Sequence, residues 1–422
     1  MTSGIGVVAE RLRPEDDPTM VVFGERKLRA LCRAAGLGDR EEEVARGYRL
    51  MSESWGERKI SEPPRWSFAN PDSTPVQFSI VLEDEPVSVS VSLEAQAEAG
   101  TPRAYWDAGR RLTTRLSRTY GLSLEQLEHI QDLFVPHGPG FISMAMYHAA
   151  GWRKQGPPLA KVYLGVDQDG SAALRTCEEA LGRLGLGGQW SRIADQLHRD
   201  DVVSYVSLDL DTGPCGRTKV YVHHRGQLTV ERLESVARLA ADYVPGDLDT
   251  LVELARQSED AARWQPGVTT RERLQWRSNR RRRWQALTYL SIGPDREQPV
   301  ESAVPQLSLP TLVHNDAQAA ELVRGISESF GMSGTSRAAY ERCRAVFAPS
   351  PMDQEMYAHE YLSFRRVNGK PRTVVYFNPR MFLARHGLTN GDLTQGWSRF
   401  GGSGLDRSMS RNDAAKPRGW VR

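Results

Sequence analysis

The 422-residue chain carries 55 Lys and Arg against 53 Asp and Glu, a formal charge of +2, which excludes the domain-wide basic footprint of a bulk nucleic-acid binder. With 39% hydrophobic residues and a mean hydropathy of −0.51, it can bury a large core as a water-soluble chain, and no apolar run reaches membrane length. Cys32, Cys177, Cys215 and Cys343 lie far apart, with no CxxC and no His at metal spacing. They read as reduced thiols, and with no apolar leader the expected location is the cytoplasm.

Residues 1–20 mix Gly, Pro and charges and read as a loose arm. Helical spacing follows from Glu25 to about Ser54, carried by Leu28, Leu31, Cys32, Leu37, Val44, Tyr48 and Met51 and broken near Gly36. Thr74–Leu82 and the strictly alternating Val87–Leu93 predict a hairpin around the acidic turn at Glu83–Pro86. Helix is predicted from about Pro102 to Leu133, then a strand from Phe141 through Tyr147, a Gly/Pro loop, and a strand Leu159–Gly165. Helices near Ser171–Leu184 and Trp190–Leu197 precede the strand Val202–Leu210 and a second strand after the Gly213-Pro214 turn. Two more helical stretches, Thr229–Tyr243 and Leu248–Gln257, lead to strands Trp284–Ser291 and Gln306–Leu312. Helices at Asn315–Phe330 and Ser336–Phe347 lead to Tyr361–Val367 and Arg372–Pro379, joined by the hairpin signal Asn368-Gly369.

The chain thus repeats helices followed by a two-strand hairpin. The hairpins begin near 75, 141, 203, 285 and 360, roughly 60 to 80 residues apart. Single strands alternating with helices would make a parallel sheet; paired strands make an antiparallel one. Five hairpins give ten strands, which can close into a barrel with helices outside, no edge strands and an interior lumen. The predicted fold is α/β, one ααββ barrel domain over residues 21–383, followed by a disordered tail over 384–422.

Side chains on alternate strand positions share a face. Lys161 with Tyr163, Arg217 with Lys219 and Tyr221, Gln306 with Ser308, Tyr361 with Ser363, Arg365 and Val367, and Arg372 with Val374 and Tyr376 are such sets. The chain holds only 7 lysines against 48 arginines, so a lysine on a strand is not background here. If these faces point inward, the lumen gathers cations that repel one another and need an anion. Arg and Lys suit a diphosphate, and tyrosine faces stabilise a cation. A pocket with both suits a substrate that splits into diphosphate and a carbocation, as a prenyl diphosphate does.

Lys161-x-Tyr163, Arg217-x-Lys219-x-Tyr221, and Tyr361 with Tyr376 make the chain resemble the dimethylallyltryptophan synthase-type aromatic prenyltransferases over about residues 20–380. The resemblance implies an ABBA (ααββ) barrel of ten antiparallel strands. It implies a diphosphate site of Lys161, Arg217, Lys219, Tyr163, Tyr221, Tyr361, Tyr376, Gln306 and Arg365, with Tyr163, Tyr221, Tyr361 and Tyr376 shielding the dimethylallyl cation. It implies Lys161, Lys219 and Gln77 as catalytic residues, Gln77 standing at the position of a family glutamate that contacts the indole N–H. Partners would be dimethylallyl diphosphate and an aromatic small molecule, with no nucleic acid or membrane and a monomer or homodimer as the working form. No metal is implied as a requirement, and magnesium at most stimulates; the chain lacks DDxxD, and Asp209 and Asp211 are read as turn or helix-packing residues.

The sequence departs from the pattern in four places. Gln77 can accept a hydrogen bond but cannot take a proton. The second strand offers Ser88, Ser90 and Ser92 where the family brings an arginine; Ser308 stands for a tyrosine; and the last hairpin's arginine falls on Val367 by counting, although Arg365 shares that face. These departures leave a non-catalytic isoprenoid- or phosphate-binding barrel as the alternative. The seven arginines between Arg271 and Arg283 leave a nucleic-acid-associated protein as a further one.

Overall fold

The computed structural model describes residues 16–382, apart from 63–66, 68, 71, 85, 137–143, 167–170, 212–215, 225–226, 265–284, 294–299 and 349–357. The arginine run 271–283 and the tail 384–422 lie outside the described residues, as does most of the N-terminal arm.

Five units follow one another. Helices α1 (Met20–Ala34) and α2 (Glu41–Ser52) precede strands β1 (Val76–Leu82) and β2 (Pro86–Glu94). Helices α3 (Pro102–Tyr120) and α4 (Glu125–Ile130) precede β3 (Met146–Arg153) and β4 (Leu159–Gly165). Then come α5 (Ser171–Arg183), α6 (Gly187–Ala194), β5 (Val202–Leu210) and β6 (Thr218–His224), followed by α7 (Val230–Ala237), α8 (Asp247–Trp264), β7 (Ala286–Ile292) and β8 (Val300–Ser308). A helical turn, Leu309–Leu312, leads to α9 (Asp316–Ser329), α10 (Gly334–Phe347), β9 (His359–Val367) and β10 (Lys370–Phe377). The ten strands close into one antiparallel barrel in which β1 pairs with β10, so the predicted ααββ barrel is the observed fold. No described helix is long and apolar enough to cross a membrane.

Local chemistry sets the element ends. Thr19, Thr101, Thr229, Asn315 and Ser333 cap α1, α3, α7, α9 and α10 by accepting from a backbone N–H of the first turn. Gly36 and Gly121 take positive φ just past α1 and α3. Asn368 and Gly369 both have positive φ, as a tight β-hairpin turn requires.

Two strands differ from the prediction. The strand expected over Phe141–Tyr147 runs instead from Met146 to Arg153; its earlier part, 141–143, is not described. Ala149, Ala150 and Gly151 are weak strand formers, but pairing with β2 and β4 on both sides overrides propensity. Gly151 is small for a reason: a Cβ there would stand 2.8 Å from Ser90 Oγ. The strand expected over Gln306–Leu312 ends at Ser308, because Pro310 starts the helical turn.

The strand faces divide cleanly. Phe78, Ile80, Val91, Leu93, Trp152, Val162, Val220, Leu290, Leu307, Leu362, Val375 and Phe377 face the helices and join one continuous hydrophobic core. Phe347 of α10 stacks on Phe377 at 4.8 Å between ring centres. Within this outer layer Asp316 accepts from the His359 backbone N–H at 2.9 Å and faces its Nδ1 at 2.8 Å, while His359 Nε2 meets the Tyr340 hydroxyl at 3.0 Å. That buried chain ties α9 and α10 to β9. The other strand face lines the lumen.

Candidate active site

Cross-strand partners share a face, so the register traces the lumen wall around the barrel. Gln77 pairs with Ser92, Ser92 with Ala149, Ala149 with Lys161 and Lys161 with Asp209. Ser207 pairs with Lys219, Tyr205 with Tyr221, Lys219 with Ser291, and Tyr221 with Tyr289. Gln306 pairs with Ser363, Ser308 with Tyr361, Tyr361 with Tyr376, and Tyr376 with Ser79. Gln77, Lys161, Lys219, Tyr221, Gln306, Tyr361 and Tyr376 therefore belong to one inward face.

The lumen has two unlike poles. Lys161 near the start of β4, Asp209 near the end of β5, Arg217 just before β6, Lys219, and Arg365 near the end of β9 lie toward the hairpin-turn pole. Gln77, Gln306, Tyr361 and Tyr376 lie toward the opposite one. At the turn pole the Arg217 Nε and Nη2 lie 2.9 and 2.8 Å from Asp209 Oδ2. Lys219 Nζ lies 3.2 Å from Oδ1 of the same carboxylate, and Lys161 Nζ 3.9 Å from it. Asp209 is thus a lumen residue inside the cation cluster, and the sequence reading that made it a turn or helix-packing residue is corrected. Asp211, by contrast, follows β5, and its carbonyl accepts from Ser123 N at 2.7 Å.

Electrostatics follow from this packing. Burial alone would raise the Asp209 carboxyl, but Lys161, Lys219 and Arg217 hold it down at about 2. Burial, together with the neighbouring charge of Lys161 and Arg217, drives Lys219 well below the ordinary lysine range. Arg365 donates to Ser302 Oγ at 3.4 Å, and Ser302 is the register partner of Ser291. Arg372 is engaged at the rim by Glu83.

Next to the cations stands a belt of tyrosines. Ring centres are 5.8 Å apart for Tyr147 and Tyr163, 5.6 Å for Tyr163 and Tyr221, 4.6 Å for Tyr205 and Tyr221, and 5.5 Å for Tyr221 and Tyr289. Lys219 Nζ sits 5.8 Å from the Tyr289 ring centre. Tyr361 and Tyr376 form an edge-to-face pair at 6.3 Å. Burial raises the Tyr376 phenol well above its ordinary value, helped by Tyr289, Tyr163 and Tyr205, so these rings face one space. Burial likewise raises the phenols of Tyr147, Tyr163, Tyr205 and Tyr221, which therefore present ring faces rather than charges.

At the far pole Gln77 is nearly buried and donates its Nε2 to the Ala69 carbonyl at 2.7 Å. Ala69, Met144 and Tyr147 form a small apolar cluster against Tyr163 and Tyr205. Among the described residues no hydrogen bond engages Gln77 Oε1, which can act as an acceptor. Asp209, Tyr147, Tyr205 and Tyr289 were missed as site residues. The period-two rule, extended from Tyr163 and Tyr221 to the neighbouring strands, carries their signal: Asp209, Ser207 and Tyr205 share a face, as do Ser291 and Tyr289.

The sequence matches no protein-family model. Solved structures with this fold are numerous. A 6-dimethylallyltryptophan synthase from Micromonospora olivasterospora, solved with DMASPP and Trp, superposes with a TM-score of 0.73 at 22% identity, covering 86% of this chain and 98% of that one. A 5-dimethylallyltryptophan synthase from Streptomyces coelicolor gives 0.74 at 23% identity, with coverage of 87% and 99%. AnaPT from Neosartorya fischeri gives 0.65 at 16% identity, with coverage of 84% and 91%. The architecture is therefore the prenyltransferase ααββ barrel. At these identities it is the fold that is shared.

Proposed function

We propose that this protein is an aromatic prenyltransferase that moves a dimethylallyl group from dimethylallyl diphosphate to an electron-rich ring. The observation that carries the reading is the juxtaposition, in one lumen, of the Lys161–Arg217–Lys219 cluster with the belt of Tyr163, Tyr221, Tyr289 and their neighbours. The similar folds solved with DMASPP and Trp support it.

In this reading the diphosphate lies at the turn pole on Lys161, Arg217 and Lys219, with Arg365 and the nearer tyrosine hydroxyls as further donors; Gln306, expected from sequence at the diphosphate, lies toward the other pole. The allylic C–O bond breaks, and the electron pair leaves with the diphosphate, whose growing charge meets preorganised cations. Tyr163, Tyr221, Tyr361 and Tyr376 present ring faces to the allyl cation and exclude water. The acceptor's ring carbon attacks to form the new C–C bond, and its proton departs to released diphosphate or water. Gln77 accepts a hydrogen bond from the acceptor's N–H or O–H and leaves proton transfer to others. Such a site favours a phenol, a tricyclic aromatic or a substituted indole over free tryptophan, because a neutral acceptor's hydrogen bond is weaker than a carboxylate's.

The positive charge comes from side chains, so turnover proceeds in excess EDTA. The test is mass spectrometry of products from dimethylallyl diphosphate with tryptophan, indoles, phenols and tricyclic aromatics, chelator present. A product heavier by one dimethylallyl group supports the reading. Donor binding without any product would make the protein a binding barrel instead.

A further inference from the structure

Asp209 is the carboxylate that the described ion pairs join to Lys161, Arg217 and Lys219 together. We propose that it is a positioning residue, holding Lys161, Arg217 and Lys219 together and aimed into the lumen and opposing the loss of their charge before an anion arrives. The inference rests on the reading of this pole as a diphosphate site.

The geometry makes the case. Lys161 of β4 reaches Asp209 from one side, and Arg217 and Lys219 from the β6 side. The carboxylate side chain is 15% exposed and that of Lys219 only 6%. The Asp209 backbone N–H donates to the Arg217 carbonyl at 2.9 Å, which fixes the carboxylate between the two strands. Three cations packed this closely in a shielded space repel one another, and the most buried of them can shed its proton. A guanidinium cannot, so the load falls on the lysines. Tyr163 and Tyr289 lie beside them, and Glu301 acts on Arg217 from β8. Asp209 is the group in contact with all three cations. Without it the burial and like charge that already lower Lys219 would act with no counter-charge in contact with all three cations.

A surface ion pair would do none of this; its removal shifts little. The discriminating readout is therefore the titration of Lys219 itself. The chain has only 7 lysines, so NMR of protein labelled with 13C at lysine Cε can follow each one, with Lys219→Arg assigning the signal. Asp209→Asn is expected to lower the Lys219 midpoint by a full pH unit or more, and Asp209→Glu to restore most of it. Should Asp209→Asn not fold, Asp209→Ser removes the same charge and is read the same way. A Lys219 midpoint that moves by less than a full unit overturns the proposal. The titration needs neither donor nor acceptor, whereas product formation by the unaltered enzyme tests the transferase reading alone, so the two can fail separately.

Discussion

Tyr221 stands at the centre of the belt, with Tyr163, Tyr205 and Tyr289 all within 6 Å between ring centres. If its ring face is what matters, Tyr221→Phe keeps most of the turnover. Tyr221→Leu loses the cation–ring term of about 0.5–2 kcal/mol, roughly 2- to 30-fold in kcat. Equal losses in both variants would assign the role to the hydroxyl. Gln77 shows where residue-level reading from sequence alone falls short. The sequence implies that Gln77→Glu raises activity on simple indoles, by supplying a carboxylate next to the acceptor. The Ala69 carbonyl, however, lies 2.7 Å from the amide nitrogen that a carboxylate oxygen would replace. Two acceptors then face each other, so the new glutamate should titrate above its ordinary value. A raised folded-state pKa means stability held at low pH and lost as pH rises. Gln77→Glu is expected to unfold more readily at pH 7 than at pH 4.5 relative to the parent, by about 1–3 kcal/mol in denaturant titrations. No pH dependence in that difference would contradict the contact.

At the scale of elements, alternation made most strands legible. Val87–Leu93 alternates Ser and Val or Leu, and its serines line the lumen as the pattern requires. β3 was not legible past Tyr147, because Ala149, Ala150 and Gly151 carry no strand signal and only pairing on both sides makes them one. The end of β8 was misplaced because Leu307, Leu309 and Leu312 read as one apolar run across Pro310. The Asp316–His359–Tyr340 chain could not be seen at all, since its members are far apart in sequence and only the folded β9 brings them together. Burial would raise Asp316, but His359 and its backbone N–H pull the carboxyl below its ordinary value. Asp316→Ala should therefore cost about 3–5 kcal/mol, read as a shift in denaturation midpoint, because it strands a buried imidazole and two backbone donors. Its depressed pKa places the wild-type contribution above the ordinary aspartate range, to be lost as pH falls below it.

For the whole molecule, closure is what converts ten modest strand patterns into one site. The cations and tyrosines come from strands spread across the chain from β3 to β10, and their convergence follows from a barrel in which every hairpin turn lies at one pole. Burial also sets the pH range in which that barrel holds together. His148, packed against Thr113, and His223, beside Ser204, are both pushed down to about 3 by burial. Unfolded histidines take up protons near pH 6.5, so stability present above that pH is lost as it falls toward 3. Each contributes about 1.4 kcal/mol of loss at pH 5.5, and Tm should drop between pH 7.5 and 5.5 accordingly. The central feature of the proposed transferase is an anion clamp at the turn pole of the barrel. The direct measurement is calorimetric titration of inorganic diphosphate into the parent protein and into Arg217→Ala and Lys219→Ala, each checked for its fold by circular dichroism. Charge-assisted contacts of about 1.5–3 kcal/mol predict affinity losses of roughly 10- to 150-fold in each variant. Equal affinity in all three proteins would contradict it.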